Sequence, residues 1–248
     1  MQVLSEEQVR HAVRAMKAYL AAPRTANGPT RFEHYRQKDQ MRASVIDSEL
    51  MPLLREYLKG AGRLADFKSD VDSINKRNHL WGFKGPKGQM FFNMMVKVAK
   101  DEAECDREIK AAIRMPHNDR MASTQIDNLF RYGTKIAQQH TDSGGSLSGR
   151  PKLGSIPFFL SYFWQIQDRA VWPVYYTNSV NKMIDFDLWH PTGDLAADYG
   201  SYKSVQEELA DAFSKGSGLT FGLYDVERVF WFHGENPVGG ESPRMKLV

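Results

Sequence analysis

The residues best suited to chemistry are basic side chains concentrated between positions 73 and 100. This segment carries six Lys or Arg residues and no Asp or Glu, so its local charge is +6 in a chain whose formal total is +3. Beside the rings of Trp81 and Phe83, glycine recurs at every third position, at Gly82, Gly85 and Gly88. Lysines on a glycine-rich backbone beside exposed aromatic rings suit a polyanion whose bases can stack. The pattern favours a basic loop that binds nucleic acid.

A second, smaller basic group lies further along the chain, in the polar sequence around Arg150 and Lys152. We expect these two side chains to hold phosphate as well. The rings of the first segment have two interpretations that the sequence leaves open: they stack on a base, or they pack on the core. Because the apolar run that begins at Met90 needs a cover, we expect the larger ring of Trp81 to pack and Phe83 to be exposed. The candidate nucleic-acid contacts are Lys76, Arg77, Trp81, Phe83, Lys84, Lys87, Arg150 and Lys152.

Other chemistry finds little support in the sequence. The glycines of residues 82–88 lack the Gly-Lys-Ser/Thr ending that a phosphate-binding P-loop requires, and their spacing does not fit a dinucleotide site. The seven histidines are scattered and there is one cysteine, so no close cluster predicts zinc. The sequence therefore predicts no metal, no cofactor and no catalytic residue. An enzyme with a dispersed site stays open, but no catalytic activity is expected from this chain alone.

Composition places the chain among ordinary globular proteins. It has 248 residues, of which 42% are hydrophobic and 25% charged, enough for one large core or two modest ones. The single cysteine, Cys105, excludes an internal disulfide and fits a cytoplasmic protein; we expect its thiol to be at the surface or half-buried. No stretch reaches the roughly 20 apolar residues that cross a bilayer, so no membrane partner is predicted.

Helical periodicity predicts a mainly α, multi-helix globular fold, with short strands allowed in the aromatic segments. The first helix begins at a capping box formed by Ser5 and Gln8 and ends before Pro23. A second helical region runs through residues 45–57, where Pro52 is a point of division. Further helices follow at residues 64–74, from 89, at 103–115 and at 121–139. The last of these has Ile126, Leu129, Phe130 and Ile136 as its predicted buried face.

The domain prediction follows from the glycine- and serine-rich stretch after this helix. We divide the chain into residues 1–140, with the basic loop, a linker or long loop at 141–154, and an aromatic-rich helical region at 155–248; the two regions are allowed to pack as one domain. A buried helix capped by Ser155 is predicted at the start of the last region. Its many rings are too numerous for one helix to bury, so one or two are expected at a rim near Arg150 and Lys152. The acidic stretch at 185–211 is either a solvated face or a contact surface.

Two stretches resemble a known family. Residues 81–97, WGFKGPKGQMFFNMMVK, and residues 155–183, which begin SIPFFLSYFW, are similar to N-terminal specificity modules of McrB-like AAA+ ATPases of bacterial DNA defence, which include modification-dependent restriction systems. The resemblance implies a DNA-recognition or sensing domain of an antiviral, anti-phage restriction assembly. No Walker motif is present, so an ATPase or nuclease would be fused downstream or be a separate partner subunit. No catalytic residue carries over.

Two functions from different classes follow. The first is a cytoplasmic, bacterial, non-catalytic nucleic-acid-binding module, with DNA favoured as the ligand. The alternative is a protein-interaction adaptor that docks a partner ATPase or nuclease subunit through the acidic stretch and the aromatic rim. Salt dependence separates them, because phosphate contacts weaken steeply with ionic strength and aromatic anchors do not.

Overall fold

The computed structural model describes residues 4–22, 30–78, 83 and 87–235, and within these ranges the chain is helical without a β-strand. The predicted mainly α fold is confirmed, and the strands allowed in the aromatic segments do not occur in this part of the chain. No described helix is both long and apolar enough to span a membrane. The helices are α1 Glu6–Ala21, α2 Arg31–Val45, α3 Met51–Leu58, α4 Leu64–Arg77, α5 Gln89–Val98, α6 Glu102–Ile113, α7 Asp119–Asp142, α8 Ile156–Gln167, α9 Thr177–Asp185, α10 Leu195–Ser217 and α11 Leu223–Glu235.

The first helix begins as predicted. The Ser5 hydroxyl accepts a hydrogen bond from the Gln8 amide at 3.2 Å, and the Gln8 side chain accepts one from the Ser5 amide at 2.8 Å. Thr30 and Glu33 form a second capping box at the start of α2, with the Glu33 carboxylate 2.8 Å from the Thr30 amide nitrogen. α2 buries only Phe32, so it has no apolar stripe from which its full length could be predicted.

A π-helical turn, Ile46–Leu50, joins α2 to α3. The Met51 amide donates to the Ile46 carbonyl, five residues back, and Pro52 follows in the first turn of α3. Proline has no amide hydrogen and its ring collides with the carbonyl four residues earlier in a regular helix. A wider turn before the proline accommodates both effects. The division predicted at Pro52 is therefore a change of helical pitch and not a break.

α8 is the centre of the molecule. Every residue from Ile156 to Ile166 is buried, and the predicted buried helix is confirmed. The Trp164 indole donates to the Ala112 carbonyl of α6 at 3.0 Å, and the Tyr162 hydroxyl donates to the Asn75 side chain of α4 at 2.8 Å. The polar groups of these two buried side chains are thus hydrogen-bonded. Ser155 precedes the helix but makes no side-chain cap, contrary to the prediction.

The predicted aromatic rim does not occur on α8, whereas in the segment after this helix Tyr176 is partly accessible. Of the eight rings between positions 158 and 176, only Tyr176 is more than marginally accessible. Helices surround α8 on all sides: Phe159 packs on Phe91 of α5, and Trp164 packs edge-on against Tyr199 of α10. One helix can bury all of its rings when it is itself enclosed, which periodicity alone does not reveal.

The first described residues pack against the last two helices. The His233 ring of α11 lies 3.0 Å from the Ala15 carbonyl of α1, and the Leu4 amide donates to the Glu208 carboxylate of α10. Between the two predicted regions, residues 141–154 contain the 3₁₀ turns Leu147–Gly149 and Leu153–Ser155. Buried side chains from before and after this segment belong to one continuous hydrophobic cluster.

Most acids of the 185–211 stretch have partners within their own neighbourhood. The Asp198 carboxylate is buried and accepts hydrogen bonds from the Thr192 amide and hydroxyl and from the Gly193 amide. Lys203 is buried between the carboxylates of Asp119 and Glu207. The stretch is therefore neither a uniformly solvated face nor a set of free charges.

Candidate nucleic-acid interface

The eight predicted contact residues fall into three groups in the structure. Trp81 and Lys84 lie outside the described residues. Lys76 and Arg77 end α4, and the remaining residues lie around the start of α8.

Phe83 is buried, with 1% of its surface exposed, so the prediction that it is exposed is wrong. Its ring centroid lies 4.5 Å from that of Tyr162 and 5.4 Å from that of Phe163, both on α8. The sequence could not show this because the surrounding rings come from a helix some eighty positions away. Phe83 anchors the basic loop and cannot stack on a base.

Gly88 closes the loop that Phe83 anchors. The Gln89 amide donates to the Phe83 carbonyl at 2.7 Å, which joins the two ends of the segment 83–89. A Cβ atom on Gly88 would lie 2.3 Å from that carbonyl oxygen. Only glycine allows so close a backbone approach. The glycine at this position therefore has a structural reason that is independent of any ligand.

Lys87 packs on the first turn of α8. Its Nζ atom lies 3.9 Å from the centroid of the Phe158 ring, and burial lowers the pKa of this lysine. A cation over the face of a buried ring is attracted by the ring's quadrupole. Lys87 is half-buried and is thus not the freely solvated side chain that its glycine neighbours indicated.

Lys76 and Arg77 each face a carboxylate. Lys76 pairs with Asp72 one turn earlier, and Arg77 pairs with Glu49 of the π-helical turn. Both basic side chains are 62% exposed. Exposed pairs of this kind contribute little to stability, about 0–1 kcal/mol, so a phosphate could replace either carboxylate, but the net charge at this point is small.

Arg150 and Lys152 lie in the segment that leads into α8, and neither forms an ion pair within the described part of the chain. The next residue, Leu153, lies against Gly133 of α7: a Cβ on this glycine would be 2.6 Å from the leucine Cδ2. Leu153 therefore packs on α7 at Gly133.

The prediction for Phe130 fails in the opposite sense to that for Phe83, because a ring expected to be buried is exposed. It is 43% exposed, although it was predicted in the buried face of α7. It precedes Gly133 by three residues, so its Cβ is roughly 5–6 Å from that position, on the same side of the helix. The buried stripe of α7 runs through Ile126, Leu129, Gly133 and Ile136, and Phe130 lies one position beyond it. Counting that stripe strictly at 3.6 residues per turn would have placed Phe130 at its edge.

The interface that results combines residues from three parts of the chain. Lys87 contacts the first turn of α8, and Lys152 lies four residues before that turn. Phe130 lies on α7, three residues before Gly133, which Leu153 approaches. Positive side chains and an accessible aromatic ring are the groups that hold a phosphate backbone and stack a base.

No metal site accompanies this interface: in the ranges that the structure describes, no three His, Cys, Asp or Glu side chains are grouped to hold an ion. Cys105 is 1% exposed, so the expected surface or half-buried thiol is wrong, and burial raises its pKa to about 11. A thiol of this kind is protonated at neutral pH and unreactive. No family model, no curated protein and no solved structure matches the chain.

Proposed function

We propose that this chain is a non-catalytic module that binds nucleic acid, with DNA favoured, through the surface formed by Lys87, Arg150, Lys152 and Phe130. The observation that carries the proposal is that both basic segments of the sequence adjoin the start of α8. Lys87 reaches Phe158 from one side, and Arg150 and Lys152 precede the same turn in the chain.

The role in bacterial antiviral defence belongs to the same proposal. It is supported by the resemblance of residues 81–97 and 155–183 to the specificity modules of McrB-like restriction systems. In such an assembly a partner ATPase or nuclease subunit would act on the DNA, and this chain would select it. The cytoplasm is the corresponding compartment.

The adaptor alternative draws on one observation, the exposed apolar side chains of Phe130 and Leu147 near this surface. The adaptor alternative also uses the acidic stretch, but acids of this stretch such as Asp198 and Glu207 are already bonded within the chain. Nucleic-acid binding is therefore the function that we favour.

The test is a fluorescence-anisotropy titration of single- and double-stranded DNA and of RNA at several salt concentrations. The double variant R150Q/K152Q should flatten the slope of log K against log salt by about 1.4–1.8, since each lost phosphate contact removes roughly 0.7–0.9. R14Q/K17Q removes two exposed charges from α1 and is the matched control. Equal slopes for the wild type and R150Q/K152Q would contradict the proposal.

Phe130→Ala examines the stacking contact separately. We expect single-strand affinity to fall by about 1–3 kcal/mol, with unchanged salt dependence, because a base loses its platform and no charge is removed. If Phe130→Ala instead abolishes capture of a partner ATPase and leaves DNA binding intact, the adaptor function is the correct one.

A further inference from the structure

A groove separate from the basic surface lies between α2, the end of α8 and the start of α11. Its volume is about 570 Å³, within the range of small-molecule sites, and it is too large for a single inorganic ion. Each of the three elements contributes polar side chains to its lining: Arg36, Asp39 and Gln40 from α2, Gln165 and Arg169 from the end of α8 and beyond, and Asp225 from α11.

One wall of the groove is held rigidly by a buried ion network. The Asp39 carboxylate accepts hydrogen bonds from Arg228 at 2.9 Å, from the Tyr224 hydroxyl at 3.2 Å and from Arg42 at 3.3 Å. Arg228 is 3% exposed, and its guanidinium carbon lies 5.1 Å from the centroid of the Tyr224 ring. Burying such charges is costly, and the three hydrogen bonds to one carboxylate hold these side chains in place before any ligand arrives, although the buried Nε atom of Arg228 makes no hydrogen bond within the described residues.

Two guanidinium groups in the lining of the groove are available to an anion. Arg36 and Arg169 are exposed at its edge, and neither forms an ion pair with another described residue. The lining itself holds two acids as well, Asp39 and Asp225. Asp39 is already paired with Arg42 and Arg228, and the Asp225 carboxylate accepts a hydrogen bond from the Gly222 amide. Guanidinium groups from two different elements can hold a phosphate in a fixed direction through paired hydrogen bonds.

The floor of the groove carries an amide without a partner. Gln165 is 4% exposed, lines the cavity and makes no side-chain hydrogen bond within the described part of the chain. Its amide atoms are not sealed from solvent, so they open to the groove, where water or a ligand can bond to them. An amide offers a donor and an acceptor side by side, which is the arrangement that matches the edge of a purine or pyrimidine base. Ile46 of the π-helical turn lines the same cavity, and turns of this type occur frequently at functional sites.

We propose that this groove binds a nucleoside monophosphate, with the phosphate between Arg36 and Arg169 and the edge of the base on Gln165. The apolar side chains of Ile46 and Leu223 cover the remainder of the ligand. The site is independent of the nucleic-acid surface, since it shares no residue with Lys87, Phe130, Arg150 or Lys152.

The experiment is isothermal titration calorimetry of the full chain with AMP, GMP, CMP and UMP, with the corresponding nucleosides and inorganic phosphate in parallel. At least one monophosphate should bind with a Kd below about 1 mM, and its nucleoside and free phosphate at least about tenfold more weakly. R36Q/R169Q should weaken this binding by about tenfold or more with an unchanged melting temperature. K17Q/K38Q, which removes two cations that do not line the groove, should bind like the wild type.

Gln165→Leu keeps the approximate size of the side chain and removes the amide. It should reduce the difference in affinity among the four bases and leave unchanged the part of the affinity that comes from the phosphate. The proposal is overturned if no monophosphate binds below about 1 mM, or if R36Q/R169Q binds as well as the wild type. R150Q/K152Q should leave monophosphate binding unchanged. A failure of the DNA titration and a failure here are therefore distinguishable.

Discussion

Phe83→Ala is the substitution that most directly examines how the basic loop is held. The ring is 1% exposed and contacts four others, those of Phe92, Phe159, Tyr162 and Phe163. Removing a buried Phe side chain costs about 3–5 kcal/mol, because apolar contacts are lost and a cavity remains. In a chain of this length each kcal/mol lowers the melting temperature by about 2–4 °C, so we expect a loss of about 6–20 °C.

Differential scanning calorimetry measures this loss, and Phe130→Ala is the matched control. Phe130 is 43% exposed, so the same substitution there should cost about 1 kcal/mol or less. Phe83→Leu, which fills part of the space, should fall between the wild type and Phe83→Ala. A melting-temperature loss below about 3 °C for Phe83→Ala, or an equal loss for Phe130→Ala, would refute the assignment of Phe83 as the anchor.

Four further predictions concern stability and reactivity. Gly88→Ala should destabilise the fold by about 1–3 kcal/mol in urea denaturation, because its Cβ collides with the Phe83 carbonyl, whereas Gly154→Ala, with open space around it, should not. Burial raises the pKa of Glu227, so the contribution of its neutral carboxyl group to the free energy of unfolding is complete in acid and is lost as pH rises through the folded-state pKa. Glu227→Gln should therefore become more stable than the wild type as pH rises, and the two should have equal stability in acid. Burial lowers the pKa of His233. The contribution of the neutral imidazole to the free energy of unfolding is present above the unfolded-state pKa and is lost as pH falls through the folded-state pKa. His233→Gln should therefore unfold less readily than the wild type when the pH is lowered from about 7 to about 5. Cys105 should react with a thiol reagent such as DTNB only at the rate of unfolding, and rapid reaction of the native protein would contradict its burial.

The helices were largely predictable because their signals are local. The capping box of Ser5 and Gln8 and the apolar spacing of α4 and α7 depend on neighbours within a few residues. α2 was harder to predict, because it has a single buried residue, Phe32, and so has no repeating pattern of apolar residues. The π-helical turn was visible only through Pro52, which marks a disturbance of the helix but does not state its form.

The candidate site was predictable only in its charges. That Lys87 adjoins the same start of α8 as Arg150 and Lys152 depends on where α5 and α8 pack, which no local pattern contains. The exposures of Phe83 and Phe130 were both misjudged for the same reason. A ring beside glycines and lysines is expected at the surface, and a ring within an apolar helix is expected inside, but the neighbours that decide are distant in sequence.

The all-round burial of α8 has a consequence for how the protein is made. Phe163 contacts Phe67 of α4, which is synthesised earlier, and Trp164 contacts Tyr199 of α10, which is synthesised later. Between the end of α8 at Gln167 and the end of α11 at Glu235 the ribosome adds 68 residues, which takes roughly 3–14 s. During that interval the most apolar helix of the chain has neighbours on one side only. The nascent chain should therefore be a client for chaperones that shield apolar segments until α10 and α11 have emerged.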